Sequence, residues 1–415
     1  MKKHLQDSLV IGFALFSMFF GAGNVIFPPY LGLESGPEWL AGFFSYFMAD
    51  IGLALLAMFA ILRQGSPDGI TARIGRIPST ALMCAIVLCI GPMLAIPRTA
   101  ATTYETSLAP LVSGFSPALF SILFFLLILL LCVRETAVVD IVGKILTPAL
   151  LIGLLILIVV GVVNPIGPVG EQPLVENVAA TGVEAGYQTM DALAALNFGA
   201  VIALNIQAVG ITEEAAVRRG TIRAGLIAGG MLLVVYAMLT HIGGISGAAF
   251  PGSDTGASVL TALADGLFGR VGQVLLAVIF VIACFNTCVG LIASVGEYFH
   301  ELLPQLPYPA IVAFFALVSM LLANIGLADI LSLSVPVLNA IYPIAIILIV
   351  VEFLPGRFQR TSVWRLSILF TAIQSIPAAL PFGPLSALMN ALPLSSLGFG
   401  WLLPALIGIG AGLLM

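Results

Sequence analysis

Apolar stretches recur along the whole 415-residue chain, separated by short polar connections. About 20 apolar residues are what a helix needs to cross the hydrocarbon core of a bilayer. The pattern predicts twelve membrane-spanning helices, at residues 8–33, 39–62, 79–103, 117–133, 137–163, 187–211, 222–246, 268–296, 308–326, 330–354, 363–381 and 393–414. The connections are too short for a soluble domain, so we expect an all-α integral membrane protein.

Composition supports this class and disfavours others. The chain is 60% hydrophobic and 8% charged, with a mean hydropathy of +1.16, whereas a soluble domain carries about 25% charged residues. No basic, aromatic-interleaved stretch suggests a nucleic acid partner. The five cysteines form no CxxC pair, which argues against a disulfide framework and a metal site. The chain lacks HExxH and GxSxG motifs, and no receptor-type signalling domain is evident, so we expect neither an enzyme nor a receptor.

The positions of the basic residues predict the orientation of the chain. With the N-terminus inside, thirteen of the 15 Lys and Arg residues fall on the cytoplasmic side, and only Arg98 and Arg270 fall towards the other side. Cytoplasmic loops are enriched in Lys and Arg. An odd number of spans would scramble this partition, so the sequence predicts an even number and two cytoplasmic termini.

The first span contains residues that break helices. The segment MFFGAGNVIFPPYLG, Met18 to Gly32, contains glycines and a proline pair. In a helix interior a glycine costs about 1 kcal/mol and a proline about 3 kcal/mol. Non-helical backbone at membrane depth is tolerated where it is buried in protein or lines a wet cavity. The segment therefore predicts an interrupted helix beside a cavity. Alternatively, Ser17 and Gly21 form a small-xxx-small pair for close helix packing.

The sixth span contains a second candidate interruption. In MDALAALNFGAVIALN, the residues Phe198 to Ala200 repeat Phe20 to Ala22 from five spans earlier. Matching interrupted segments in two halves point to a transporter binding site. Because five is odd, the halves would have opposite orientations. We therefore predict an inverted repeat of residues 1–163 and 187–354, followed by two additional helices in 363–415.

Two broken helices would suit a zwitterionic ligand. Helix N-termini attract anions such as carboxylates, and C-terminal carbonyls attract cations such as ammonium or Na⁺. Phe19, Phe20, Leu196 and Phe198 would line an apolar pocket for an aliphatic side chain. The alternative for these four residues is that they fill the core or face lipid.

Four blocks resemble a known family, and together they extend over essentially the whole chain. They are GFALFSMFFGAGNVIFPPYLG, GPMLAIPRTAATTYE, GKILTPALLIGLLILI and GYQTMDALAALNFG. The chain resembles the bacterial branched-chain amino acid carriers of the BrnQ type. The resemblance implies a LeuT-like fold in the bacterial inner membrane and uptake of Leu, Ile or Val by symport with Na⁺, or alternatively H⁺. Transport of another small neutral amino acid is the other alternative. No cofactor, obligate protein partner or metal other than Na⁺ is expected.

The resemblance also implies site residues. The first break would bind the substrate carboxylate, and the second would bind its amine and side chain. The substrate set is Gly21, Ala22, Gly23, Asn24, Ala194, Ala195, Leu196, Asn197, Phe198 and Gly199. The Na⁺ set, between spans 1 and 8, is Ser17, Phe20, Ala283, Asn286 and Thr287. Asn286 and Thr287 would otherwise serve helix packing or bond their own helix. Leu193 stands where the fold's second sodium site has a hydroxyl, so we expect one coupling ion.

Charges within the spans are functional candidates because they are costly in a membrane. Asp191 would attract the ammonium group, carry a proton or gate the site, or else be an ordinary carboxylate at a helix start. Arg98 and Glu105 each need a partner on another helix, and an Arg98–Asp191 pair would form an outer gate. Lys144 either pairs with Asp140, four residues earlier, or stands in for a bound cation.

Overall fold

The computed structural model describes residues 12–13, 15–16, 19–64, 67–133, 147–196, 214–246, 249, 253–380 and 383–415. Every regular element within these residues is helical. The α-helices are α1 (Ala22–Ser35), α2 (Trp39–Phe47), α3 (Leu53–Gln64), α4 (Pro67–Thr71), α5 (Arg76–Leu88), α6 (Ala95–Thr103), α7 (Pro117–Val133), α8 (Thr147–Val163), α9 (Val178–Thr189), α10 (Glu214–Ser246), α11 (Gly256–Leu302), α12 (Tyr308–Ala323), α13 (Leu327–Phe353), α14 (Thr361–Ala378), α15 (Pro384–Asn390) and α16 (Leu402–Leu414). Three π-helical segments lie at Met48–Gly52, Cys89–Met93 and Tyr104–Leu108.

The helices have the length and surface of membrane spans. In the described part of the chain, five helical stretches are long and apolar enough to cross a bilayer, and four shorter apolar helices accompany them. On α7, Leu119, Ile122, Leu126 and Leu130 recur every three or four residues and are about half exposed. Such an outward apolar stripe suits lipid contact. The chain is a multi-pass helical membrane protein, and the count of twelve spans and the inverted repeat stay predictions.

Several helices differ in length from the predicted spans. Helix α11 has 47 residues, where the sequence predicts a span at 268–296. Gly269 (φ 59°, ψ −150°) is not helical and kinks it, so α11 consists of two segments, residues 256–268 and 270–302. The second segment begins within two residues of the predicted span and, at a rise of 1.5 Å per residue, is about 50 Å long. The last helix is shorter than the predicted span at 393–414, because left-handed residues Leu394 and Gly398 precede it and α16 begins only at Leu402.

The first predicted interruption is present but narrower than expected. Phe20 and Gly21 are non-helical, and α1 begins at Ala22. Gly23 and Asn24 lie in its first turn, and the proline pair Pro28 and Pro29 lies within the helix. The carbonyls that the prolines leave without a donor are buried in protein, which is where such backbone is tolerated inside a membrane.

The described residues contain a second interruption, upstream of the predicted one. Helix α9 ends at Thr189, Met190 has the left-handed conformation (φ 66°, ψ 14°), and residues 191–196 are helical again. The predicted span at 187–211 therefore begins too late, because α9 already runs from Val178. The predicted interruption, at Leu196 to Ala200, lies outside the described residues except for Leu196, so it stays a prediction.

Glycines bring the backbones of α1 and α10 into contact. A Cβ atom built on Gly32 would lie 1.9 Å from the carbonyl oxygen of Thr240, and one on Gly243 would lie 1.9 Å from that of Pro29. Small residues at helix interfaces in membranes allow such close approach. The contact fixes α1, and with it the first interruption, against α10.

We predict that Gly243→Ala lowers the unfolding midpoint of the purified protein in detergent. The new methyl group meets backbone that has no side chain to move aside, so the loss should reach the upper end of the range of about 1–3 kcal/mol for overpacking. Gly230→Ala is the matched control, because it lies on the same helix and a Cβ atom there has nothing within 4 Å. Equal midpoints for the two variants would contradict the close contact.

Candidate functional site

The first interruption exposes the N-terminal end of α1. Gly21 has an extended backbone (φ −98°, ψ −175°), and its N–H donates to the Asn24 Oδ1 atom at 3.2 Å and to the carbonyl of Phe19 at 2.9 Å. The first N–H groups of a helix have no partner within it, and they carry its positive dipole end. The break is therefore a suitable place for an anion.

The second interruption exposes the C-terminal end of α9. The N–H of Met190 donates to the carbonyl of Tyr187, and the helical turn that follows starts at the carbonyl of Met190. The carbonyl groups of Gly186 and Gln188 accept hydrogen bonds from side chains instead. This end of α9 carries the negative end of a helix dipole, so it is suited to a cation.

Asn24 and Asp191 join the two interruptions. The Asn24 Nδ2 atom donates to the Asp191 Oδ2 atom at 2.6 Å, across 167 residues of sequence. Both side chains are buried, at 2% and 5% exposed. Because the Oδ1 atom of Asn24 also accepts from Gly21, one amide connects the start of α1 to the turn that follows α9.

Arg98, on α6, supplies a cation at the same place. Its Nη1 atom donates to the carbonyl of Gln188, and its guanidinium lies 5.2 Å from the ring centre of Phe27. It also interacts electrostatically with Asp191. A Cβ atom on Gly23 would lie 3.0 Å from the Nη2 atom of Arg98, so a glycine at this position admits the guanidinium. Arg98 thus contacts both broken helices.

A second carboxyl group, Asp50, lies beside the second interruption, and the sequence prediction missed it. It belongs to the π-helical segment Met48–Gly52, is fully buried, and interacts with Asp191. Its Oδ1 atom lies 2.7 Å from the hydroxyl of Thr189. A lone acid within a predicted span is a functional candidate by default, so this signal was available in the sequence. We call Asp50, Arg98 and Asp191 the charge cluster.

Three tyrosines surround the charge cluster. Tyr46, Tyr236 and Tyr342 are fully buried and interact electrostatically with both carboxyl groups. The Tyr46 hydroxyl interacts with Asp50 and the Tyr236 hydroxyl with Asn24, whereas that of Tyr342 has no hydrogen-bond partner in the described part of the chain. Buried polar groups ordinarily have partners, so the Tyr342 hydroxyl is available to a ligand.

A solvent-accessible cavity approaches the charge cluster from one side. It has a volume of about 280 Å³, and its lining includes Glu184 and Tyr187 of α9, Asn339 of α13 and Gln374 of α14. The Tyr187 ring stacks on that of Tyr342, with their centres 4.2 Å apart. The stacked pair therefore separates the cavity from the charge cluster in this conformation.

The structure describes part of the predicted substrate set. Gly21 to Asn24 lie at the start of α1, and Ala194, Ala195 and Leu196 lie in the helical residues 191–196. Ala195, Leu196 and the neighbouring Leu193 are buried. Asn197, Phe198 and Gly199 lie outside the described residues.

The predicted sodium residues are partly described. The Thr287 hydroxyl donates to the carbonyl of Ala283 at 3.1 Å, which is the bond to its own helix that the sequence left open as an alternative. A Cβ atom on Gly21 would lie 3.8 Å from the Cγ2 atom of Thr287, so this part of α11 adjoins the first interruption. Phe20 is buried there. Ser17 and the side chain of Asn286 are not among the described atoms.

The remaining charged candidates do not join the charge cluster. The Glu105 Oε1 atom accepts the N–H of Leu327 at 3.1 Å, at the start of α13, so this carboxylate caps a helix. Arg98 and Glu105 therefore have partners on different helices, as their spacing suggested. Lys144 and Asp140 lie outside the described residues.

Comparison with known proteins identifies relatives over the full length. The profile of a family described as "Branched-chain amino acid transport protein" matches residues 4–415. The branched-chain amino acid permease BraB of Bacillus subtilis (strain 168) is 37% identical over 424 residues, covering 98% of this chain and 95% of that protein.

Solved structures share the fold at low sequence identity. The nucleobase-cation-symport-1 family transporter Mhp1, in a closed conformation with bromovinylhydantoin bound, superposes with a TM-score of 0.67 at 14% identity, covering 97% of this chain and 91% of the other. MhsT in complex with L-phenylalanine gives a TM-score of 0.60 at 15% identity, covering 97% and 98%. The chain therefore has a transporter fold of the LeuT and Mhp1 type.

We predict that Arg98→Gln destabilises the protein by about 1–3 kcal/mol, because it weakens the bond to the carbonyl of Gln188 and removes the cation near Asp191. Adding Asp191→Asn should restore part of this loss. The measurement is the unfolding midpoint of each variant in detergent. Arg270→Gln, an exposed arginine, is the control and should change stability by less than about 0.5 kcal/mol. Additive losses in the double variant would contradict the coupling of Arg98 to Asp191.

Proposed function

The chain belongs to the branched-chain amino acid transport protein family, and we propose that it imports leucine, isoleucine or valine by symport with Na⁺. Its relatives are transporters and permeases rather than enzymes. The observation that carries the proposal is the meeting of the two interrupted helices, where an N-terminus and a C-terminus face one buried space crossed by Asn24, Arg98 and Asp191.

The charges of the site match those of an amino acid zwitterion. The N–H groups at the start of α1, together with Arg98, suit the substrate carboxylate. Asp191 and the carbonyl end of α9 suit the ammonium group. Arg98 already bonds the carbonyl of Gln188, so we expect the incoming ammonium to take that place and release the guanidinium towards the carboxylate.

The apolar walls account for the preference for an aliphatic side chain. Phe19, Phe20 and Leu196 are buried beside the interruptions. Burying apolar surface contributes about 25 cal/mol per Å², so a branched aliphatic side chain binds better than a small or polar one. Polar side chains would lose their hydration without gaining partners on these walls.

Movement of the half-helices would give alternating access. Asn24, Arg98 and Asp191, which join the interruptions, are at most 5% exposed, so a substrate would need a conformational change to reach them. The non-helical residues Phe20, Gly21 and Met190 have no continuous helical hydrogen bonding, so rotation there costs least. On the cavity side, separation of Tyr187 from Tyr342 would open a path.

A sodium ion would bind between the first interruption and α11. Carbonyls of Ser17, Phe20 and Ala283, with the side chains of Asn286 and Thr287, are the proposed ligands. The proximity of Thr287 to Gly21 supports this set. A cation held there lies next to the α1 terminus, so it would favour binding of the substrate carboxylate.

Uptake of labelled leucine into proteoliposomes tests the function and the ion. We expect an inward Na⁺ gradient to drive accumulation, and Thr287→Ala to raise the Na⁺ concentration needed for half-maximal uptake at least tenfold. Thr261→Ala is the matched control, since Thr261 lies on the same helix and bonds the carbonyl of Ala257 in the same way. Accumulation driven by a proton gradient and indifferent to Na⁺ would reject the sodium site, and no accumulation of any amino acid would reject the transporter.

Two substitutions at Gly21 separate a binding role from a packing role. The Cβ atom of Gly21→Ala would meet only ordinary contacts, at 3.5 Å from Asn24 and 3.8 Å from Thr287, so this variant should retain transport. The Leu side chain of Gly21→Leu extends into the space between α1 and α11, and we expect uptake to fall below a tenth of wild type with normal membrane insertion. Insertion is measured by the yield of monodisperse protein from membranes. Full uptake by Gly21→Leu would favour the packing alternative.

A further inference from the structure

The hydroxyl of Thr189 lies between two groups that both require its proton. Its Oγ1 atom is 2.7 Å from the carbonyl oxygen of Gly186 and 2.7 Å from the Oδ1 atom of Asp50. A hydroxyl group carries one hydrogen, and a backbone carbonyl can only accept. Both short contacts become hydrogen bonds if Thr189 donates to Gly186 and Asp50 donates to Thr189. Asp50 can donate only as a neutral carboxylic acid.

The surroundings of Asp50 also disfavour an ionised group. Asp50 is fully buried and has no ion-pair partner among the described residues; besides Thr189, it interacts with the Tyr46 hydroxyl and with Asp191. A buried carboxylate needs donors or a paired cation, whereas a neutral acid tolerates their absence far better. Asp191 differs, because it accepts from the Asn24 amide at 2.6 Å.

The distribution of charge assigns the cation to Asp191. The groups that face Asp50 from the surrounding helices are Tyr46, Tyr236, Tyr342 and Asp191. Arg98 interacts with Asp191. Two carboxyl groups in contact cannot both ionise cheaply, and one guanidinium balances one of them. The neutral member of the pair is therefore the one without a cation beside it, which is also the one that the position of the Thr189 hydroxyl requires to donate.

We propose that Asp50 is a proton-binding site, occupied when the two interrupted helices are closed as in this structure. The role of Asp50 in the transport cycle rests on the proposed function, whereas its protonation does not. The bound proton makes Asp50 a donor to Thr189, the last residue of α9. It thus ties the π-helical segment to the turn at Met190.

Loss of the proton would oppose this closed arrangement. An ionised Asp50 would face the Asp191 carboxylate, and Thr189 could satisfy only one of its two acceptors. The proton is taken from solvent while the site is open and returned to solvent when it opens again, so closure becomes less favourable as pH rises. Uptake should therefore decline with increasing pH through a step that depends on Asp50.

Infrared spectroscopy of the purified protein in lipid nanodiscs tests the protonation directly. We expect a carbonyl band of a protonated carboxylic acid at neutral pH that disappears in Asp50→Asn. It should persist in Asp329→Asn, the matched control on an exposed residue of α13. In Thr189→Val, the band should remain but shift, because the acid proton has lost its acceptor. A band that is unchanged in Asp50→Asn would overturn the proposal; if that variant does not fold, a band that is unchanged in Thr189→Val would overturn it.

The pH profile of leucine uptake tests the role in the cycle. Asparagine cannot ionise, so in Asp50→Asn the rate of leucine uptake should change with pH at least fivefold less than in the wild type. A wild-type pH profile in Asp50→Asn would overturn that role. The infrared result needs no transport, so failure of the proton site and failure of the transport function are distinguishable.

Discussion

Where two helices stop inside a membrane protein, the hydrogen-bonding groups that they set free must find partners within the protein. This requirement organises the site. Asn24 satisfies the N–H of Gly21, Arg98 satisfies the carbonyl of Gln188, and Thr189 satisfies that of Gly186. Each partner comes from a side chain, so each bond can break and re-form without unfolding a helix. The freed groups thereby become the places where a ligand can compete.

The charges of the site follow from the same requirement. An arginine that reaches a carbonyl at this depth brings a full positive charge, which must be balanced nearby. Asp191 provides that balance, and Gly23 leaves room for the guanidinium beside α1. The close contact between α1 and α10 holds the first interruption at the position where Asn24 meets Asp191. Close helix packing and electrostatics thus depend on each other.

The sequence indicates the first interruption and two members of the charge cluster, because glycines, prolines and charges are conspicuous within apolar spans. It does not indicate the second interruption, since a left-handed methionine has no recognisable sequence pattern. The Asn24–Asp191 bond joins residues 167 apart, and no periodicity relates them. Asp50 was readable by the rule that selects Asp191, but only the fold shows that the two acids are neighbours. The tyrosines resemble ordinary aromatic residues of a span until their buried hydroxyls are seen together.

The balance of charge links the proposed ion and proton to one event. Two carboxyl groups and one guanidinium carry a net negative charge when both acids are ionised, and a zwitterionic substrate leaves that sum unchanged. Closing such a site away from water is costly unless a further positive charge is added. A proton on Asp50 would remove the excess negative charge within the cluster. The proposed sodium ion beside Gly21 would offset that charge from the first interruption. If closure around the substrate is favourable only when a cation has bound, the proposed coupling of substrate to cation follows from the charge balance of the site.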